Sequence, residues 1–280
     1  MSNHVAVVTD STASLPSQLV RQWGVQVIPL QLQVADRIDD ENRFDRAEVV
    51  KALRAGHHVR TSPPDPGAFF WAYQDAASKG AAAVVSLHLS GRMSSTVQAA
   101  RQAADQVRTP VYVLDSATTG MSLGYGVLSA ARAAAAGGQV DRVMEAAERR
   151  FTGSSELIYV DTLEYLRRGG RIGAASALFG TALSIKPLLT LKEGEVAPLA
   201  RVPGSRRALA RLAEVAAQRA GNRPAELAVS CFRPSDRELT LVGELRERIP
   251  HLRELIVVEA SAVIAAHVGP GAVSITVSPA

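Results

Sequence analysis

One cysteine, Cys231, stands in a chain of 280 residues, so no internal disulfide can form and a cytoplasmic, reducing setting is expected. Aromatic residues make up 5% of the chain and do not alternate with basic ones. That excludes the stacking platform of a nucleic-acid binder, and no nucleic-acid partner is expected. Lysine occurs only at positions 51, 79, 186 and 192. The arginines come as short pairs, such as Arg149-Arg150 and Arg206-Arg207, so the net charge of +4 forms no stripe. No apolar run approaches a membrane span, and Met1 to His4 leads into a strand-like run without a signal-peptide pattern. Six scattered histidines offer no metal spacing. There is no phosphate-binding G-x-x-x-x-G-K-[ST], and Gly124-Tyr125-Gly126 lacks the third glycine of a dinucleotide fingerprint. No cofactor or metal is expected.

What is present is a large apolar fraction, 47%, enough for a substantial core in one large or two moderate domains. Short β-branched runs alternate with helical spacings through the first half. Val5 to Thr9 reads as a strand, Leu15 to Trp23 as a helix and Val25 to Val34 as a strand. A helix at 45–55 follows, then helix 67–79, strand 82–87, helix 94–107, strand 111–114 and helix 120–136. Continuous apolar strands between helices predict a parallel sheet covered on both faces. After Gly153-Ser154-Ser155 a second unit opens at Leu157 to Asp161. It carries a hairpin, Leu188 to Leu191 and Val196 to Val202, then helix 204–219, strand 226–232, helix 235–248 and strands 255–259 and 272–277. The expected fold class is α/β in two domains, 1–154 and 155–280, with a cleft between them.

Two places look built for a small anion. Strand 82–87 runs into Leu89-Ser90-Gly91 and a helix, and Thr61-Ser62-Pro63-Pro64-Asp65-Pro66-Gly67 precedes another. Hydroxyls and free N–H groups at a helix start can hold an anion, and also serve as ordinary caps. Asp10 and Asp115 each close a strand ahead of a serine, where ligands sit in open α/β sheets and where caps also sit. A rival reading is a serine esterase: Gly120-Met121-Ser122-Leu123-Gly124 fits G-x-S-x-G, with Asp161 or Asp236 and then His267 following. The elbow needs its serine directly after a strand, and Ser116 to Thr119 intervene. A scaffold without ligand is the remaining alternative.

Taken in order, Val7-Val8-Thr9-Asp10-Ser11-Thr12, Thr61-Ser62-Pro63-Pro64, Leu89-Ser90-Gly91, Asp115-Ser116, Tyr165 to Gly173, Lys186-Pro187 and His267-Val268-Gly269-Pro270-Gly271 resemble the DegV family across essentially the whole chain. The pattern departs at Pro63, where the family usually has Gln, and at Arg92-Met93, where it usually has Thr-Tyr. The resemblance implies a two-domain DegV-like fold holding a long-chain fatty acid between its domains. It implies a non-catalytic lipid-binding subunit of a bacterial fatty-acid kinase, active in phospholipid metabolism. A separate ATP-dependent kinase subunit would phosphorylate the carboxylate, and an anionic membrane surface would be a transient partner. On this likeness the carboxylate site is Thr61, Ser62, Ser90, Gly91, Arg171 and His267. The acyl tunnel would draw on Phe69, Phe70, Ile158, Leu163, Leu178, Phe179, Leu183, Ile185, Leu188, Leu189 and Ile264. Burying about fourteen methylenes at roughly 0.8 kcal/mol each gives about 11 kcal/mol, against association costs of order 4–15 kcal/mol. The tail supplies affinity, and the head must also be satisfied.

Overall fold

The computed structural model describes residues 4–178 and 184–280. In chain order the first half holds β1 (Val5–Asp10), α1 (Ser17–Trp23), β2 (Gln26–Ile28), β3 (Gln31–Val34), β4 (Arg37–Asp40), α2 (Arg46–Arg54) and β5 (Val59–Ser62). It continues with α3 (Pro66–Ser78), β6 (Ala83–His88), α4 (Thr96–Ala104), β7 (Val111–Asp115), α5 (Gly120–Ala135) and α6 (Val140–Gly153). The expected parallel sheet is there, four strands in the order β2-β1-β6-β7. Every residue of β6 is buried, because helices cover both faces. Alternate side chains divide between them: Val84 packs with Phe69 and Tyr73 of α3, whereas Val85 and Leu87 pack with Leu123 and Val127 of α5.

The run expected as one strand over 25–34 is two strands. Pro29 has no N–H to continue a ladder, and the chain leaves the parallel sheet there. β3 then pairs antiparallel with β4 and β5 in a separate three-stranded sheet, with Leu32 opposite Thr61. Neither β4 nor β5 is expected from the pattern, since both are short and polar. Asp45 starts α2 by accepting the Ala47 N–H at 2.8 Å.

The second half holds β8 (Ser155–Tyr159), α7 (Glu164–Arg168), β9 (Ile185–Lys192), β10 (Glu195–Pro203), α8 (Ser205–Ala220) and β11 (Ala225–Cys231). Then come α9 (Asp236–Arg248), β12 (Leu252–Glu259), α10 (Ala262–Val268) and β13 (Val273–Pro279). Six strands form one sheet, β10-β9-β8-β13-β11-β12, parallel only between β11 and β12. The hairpin is longer than its apolar residues suggest, because β9 and β10 pair from Ile185 with Pro203 to Lys192 with Glu195. α8 and α9 cover one face of this sheet. Helix α5 of the first half packs on the other, where Met121, Tyr125 and Leu128 meet Ala228 and Val258. The two halves therefore share apolar core. Among the described residues no helix is long and apolar enough to cross a membrane.

One polar group is set into that shared core. Glu156 of β8 is buried and accepts hydrogen bonds from Ser122 of α5 at 2.8 Å and Thr276 of β13 at 2.7 Å. Burial pushes its carboxyl above the usual carboxylate range, against the pull of these donors.

Candidate functional site

Between the halves lies a mostly apolar cavity, lined by both of them and partly open to solvent. Its apolar wall comes from both halves: Leu30 and Leu89 from the first, Ile158, Leu166, Leu191 and Val196 from the second. Helix α10 adds Val263, Ile264 and Val268. Its start is fixed by Glu41, whose carboxylate accepts the Ser261 hydroxyl at 2.7 Å and the Val263 N–H at 3.1 Å. The capping carboxylate comes from the first half and the helix from the second.

The polar end is assembled by three elements. β5 brings Thr61 and α10 brings His267, and Thr61 Oγ1 and His267 Nε2 share a hydrogen bond of 2.8 Å. The other ring nitrogen, Nδ1, is buried with no partner among the described residues. It lies against Gly169, where a Cβ would come within 2.2 Å of it, so only glycine fits. Burial, and then the nearby Arg171, push the imidazole down to about 4, so the ring is neutral near pH 7. Arg171 follows α7. Its Nε donates to the Met93 carbonyl at 3.0 Å and its Nη1 to the Gly169 carbonyl at 2.7 Å. No carboxylate among the described residues pairs with it, so its charge faces the cavity uncompensated.

The expected head-group residues divide. Thr61, Ser62, Arg171 and His267 line the cavity. Thr61 and Ser62 do so from a strand rather than a helix start, since Asp65 is the residue that caps α3, accepting the Gly67 N–H at 2.7 Å. Ser90 and Gly91 are not in the wall. The buried Ser90 hydroxyl donates to the Gly194 carbonyl in the β9–β10 turn at 2.7 Å, and the Gly91 N–H donates to Asp115 at 3.1 Å. Each donor is already used within the protein. Besides Thr61 and Ser62, the hydroxyl residues that line the cavity are Ser94 and Ser95, ahead of α4, with Thr12 and Thr119. A serine pair directly before a helical spacing was the signal for Ser94 and Ser95. Thr119 Oγ1 is buried without a hydrogen-bond partner among the described residues.

Of the expected acyl wall, Ile158 and Ile264 line the cavity. Phe69 and Phe70 belong instead to the core under α3, where Phe69 stacks edge-on against His88 at 5.1 Å. Leu188 faces α8 in the core of the second half, because alternate β9 residues face opposite ways. Leu163, Leu178 and Leu189 are buried beside the wall residues Ile158 and Leu166 without reaching the cavity. Ile185 opens the hairpin away from the wall. Phe179 and Leu183 lie outside the described residues. Both departures from the family pattern touch the site: Pro63 and Met93 are in the wall, and Arg92 pairs with Glu195 at 3.2 Å.

Asp10 caps the 3-10 turn Ser11–Ala13, while Asp115 is no helix cap and accepts N–H groups of the loops around it. Asp10 is fully buried and accepts the Thr12 hydroxyl at 2.6 Å and the Leu89 and Thr12 N–H groups at 3.0 Å, which sets two wall residues. Its second oxygen also takes His88 Nδ1 at 3.0 Å. Asp115 accepts the Ala117 N–H at 2.8 Å. The esterase constellation does not assemble. Ser122 sits inside α5 with its hydroxyl on Glu156, the His267 ring is held by Thr61, and Asp161 takes the Tyr159 hydroxyl at 2.6 Å.

With this geometry in place, the likeness to known proteins is extensive. A DegV-family model, described as covering uncharacterised proteins, matches residues 4–280. A DegV domain-containing protein of Streptomyces coelicolor is 46% identical over 279 residues, 99% of each chain. Among solved structures, a DegV-family protein from Thermus thermophilus, described by its fatty acid binding, superposes with a TM-score of 0.93 at 33% identity, covering 99% of this chain and 100% of that one. Bacillus subtilis DegV, described as a fatty acid binding protein, gives 0.89 at 28% identity with 100% of both chains covered. The chain is a member of the DegV family.

Proposed function

We propose that this protein holds a long-chain fatty acid in the cavity between its halves, with the carboxylate at Thr61, Ser62, Arg171 and His267. The observation that carries the reading is Arg171, a guanidinium without an acidic partner among the described residues, at one side of a mostly apolar cavity. An unpaired cation beside apolar walls suits an anion with a hydrocarbon tail. Fatty-acid binding by the Thermus thermophilus and Bacillus subtilis relatives supports it. The Thr61–His267 pair then acts as an aimed donor. His267 is neutral, and a partnerless buried nitrogen costs less as a lone pair than as an N–H. The proton therefore sits on Nε2, which donates to Thr61 Oγ1, and the threonine hydroxyl donates to the ligand. Ser94 and Ser95 take the place expected for Ser90 and Gly91.

We further propose that the protein is a non-catalytic subunit of the cytoplasm. It presents the carboxylate to a separate ATP-dependent kinase, whose transferred phosphoryl group would bond to a carboxylate oxygen as ADP leaves. The family resemblance supports this step.

Native mass spectrometry of the purified protein, followed by lipid extraction, tests the binding. A bound acyl chain is expected, and Thr61→Val should weaken retention of hexadecanoic acid about tenfold, the effect of losing one hydrogen bond to a charged group. Protein purified without lipid and unable to take up hexadecanoic acid would refute the reading.

A further inference from the structure

The second half carries a concavity whose wall contains none of Thr61, Ser62, Arg171 and His267. It opens where two neighbouring strands part. The β8–β9 ladder ends with Leu157 opposite Thr190, although β8 begins at Ser155 and β9 runs on to Lys192. Ser155 and Lys192, which that register would set opposite each other, do not pair. The ends of α6 and α8 close the space, with Thr152 and Ser154 from one and Arg219 and Arg223 from the other.

The charged residues of this wall are Lys192, Arg219 and Arg223, and neither Asp nor Glu lines it. All three are exposed, and their cationic heads make no ion pair or hydrogen bond among the described residues. They come from separate places: β9, the last turn of α8 and the loop beyond it. The carbonyl end of α8 suits a cation in its last turn. It does not account for a lysine from a strand that converges on the same space.

The hydroxyls here have the opposite character. Thr190 Oγ1 donates to the Glu156 carbonyl at 2.8 Å, Thr152 Oγ1 to the Glu148 carbonyl at 2.9 Å, and Ser154 Oγ to the Ser278 hydroxyl at 2.8 Å. A hydroxyl has one proton to give, so these oxygens keep only lone pairs for a ligand. Three converging cations match the oxygens of a phosphate dianion better than a single carboxylate. Acceptor oxygens beside them match O–H groups. A phosphate ester of a polyol carries both on one small molecule.

We propose that this concavity, between the parted ends of β8 and β9 and the ends of α6 and α8, binds a phosphorylated polyol or sugar. Lys192, Arg219 and Arg223 hold the phosphate, while Thr152, Ser154 and Thr190 accept from the ligand hydroxyls. The site is independent of the fatty-acid reading, although Leu191 belongs to both walls and the site backs on the acyl cavity.

The test is calorimetric titration of the full chain with glycerol 3-phosphate, ribose 5-phosphate, glucose 6-phosphate and inorganic phosphate. At least one ester should bind about fivefold or more tighter than inorganic phosphate. Arg219→Ala/Arg223→Ala should weaken that ester about tenfold or more, the effect of losing charge-assisted hydrogen bonds, and Arg219→Lys/Arg223→Lys should recover part of the loss. Both arginines are exposed, so the fold is expected to survive, and circular dichroism checks it. Thr190→Val should narrow the preference for the ester over inorganic phosphate. Failure of all three esters to bind, or binding unaffected by the double alanine variant, would overturn the site. Equal affinity for inorganic phosphate would mean a plain anion site and overturn the polyol ligand. Vesicles of phosphatidylglycerol should not displace the ester; displacement would make the ligand a lipid head group and overturn the proposal too.

Discussion

At His267 one side chain carries three constraints. Its Nε2 is tied to Thr61 at 2.8 Å, its Nδ1 is pressed against Gly169, and its charge is opposed by burial and by Arg171. The imidazole titrates at about 4 rather than its ordinary 6.5, so unfolding takes up a proton between those values. Its contribution to stability is complete above the ordinary value and is lost as pH falls toward 4. Thermal unfolding of the wild type and of His267→Gln between pH 7.5 and pH 4.5 should show the wild type losing more Tm on acidification; parallel curves would contradict this. Gly169→Ala is a companion test. A Cβ there meets the ring at 2.2 Å, so the imidazole must move and Thr61 loses its partner. Fatty-acid retention should fall about tenfold, the worth of one charge-assisted hydrogen bond, as measured by native mass spectrometry.

Among the elements, the β9–β10 hairpin most needs explanation. Its turn reaches across to the first half, where the Ser90 hydroxyl holds the Gly194 carbonyl at 2.7 Å and Arg92 pairs with Glu195 at 3.2 Å. Ser90 therefore holds the hairpin, which supplies Leu191 and Val196 to the cavity wall. Ser90→Ala should cost about 1–2 kcal/mol of stability, the penalty of one buried carbonyl left without its donor, and chemical denaturation measures it. Fatty-acid affinity should stay within about twofold, in contrast to Thr61→Val. The ion pair beside it is exposed, and removing Arg92 should cost well under 1 kcal/mol. Gly194 lies at φ +81, and its missing Cβ would stand 2.5 Å from the Ser90 hydroxyl. Both the turn and the contact require glycine there.

For the whole molecule, Glu156 is the polar tie between α5 and the six-stranded sheet. Its carboxyl titrates above the ordinary value, so its protonated form fits the folded protein best. That part of the stability is complete below the ordinary carboxylate range and is lost as pH rises through the shifted value. Glu156→Gln keeps the shape without the charge. It should match the wild type at pH 4 and become the more stable of the two as pH rises toward 8, read as the difference in Tm. A constant difference across that range would show that the Glu156 carboxyl titrates alike in the folded and unfolded protein, against the shift that burial imposes. Glu156→Ala leaves the Ser122 and Thr276 hydroxyls without an acceptor and opens a cavity, so it should cost about 2–4 kcal/mol by chemical denaturation at pH 7.

Much was legible in the chain alone. The alternation of apolar strand and helix determined the parallel sheet, because β6 has no polar face and needs helices on both sides. Thr61, Ser62, Arg171 and His267, taken from the motif resemblance, are in the cavity wall. Tertiary structure decided the rest. Whether a hydroxyl serves a ligand or its own protein depends on which carbonyl lies opposite it, and Gly194, more than a hundred residues away, claims Ser90. Whether a leucine lines a cavity depends on which side of a pleated strand faces it, so Leu188 and its neighbour Leu189 pack into different cores. The concavity of Lys192, Arg219 and Arg223 is equally invisible in one dimension, since it exists only where β8, β9 and the ends of α6 and α8 meet.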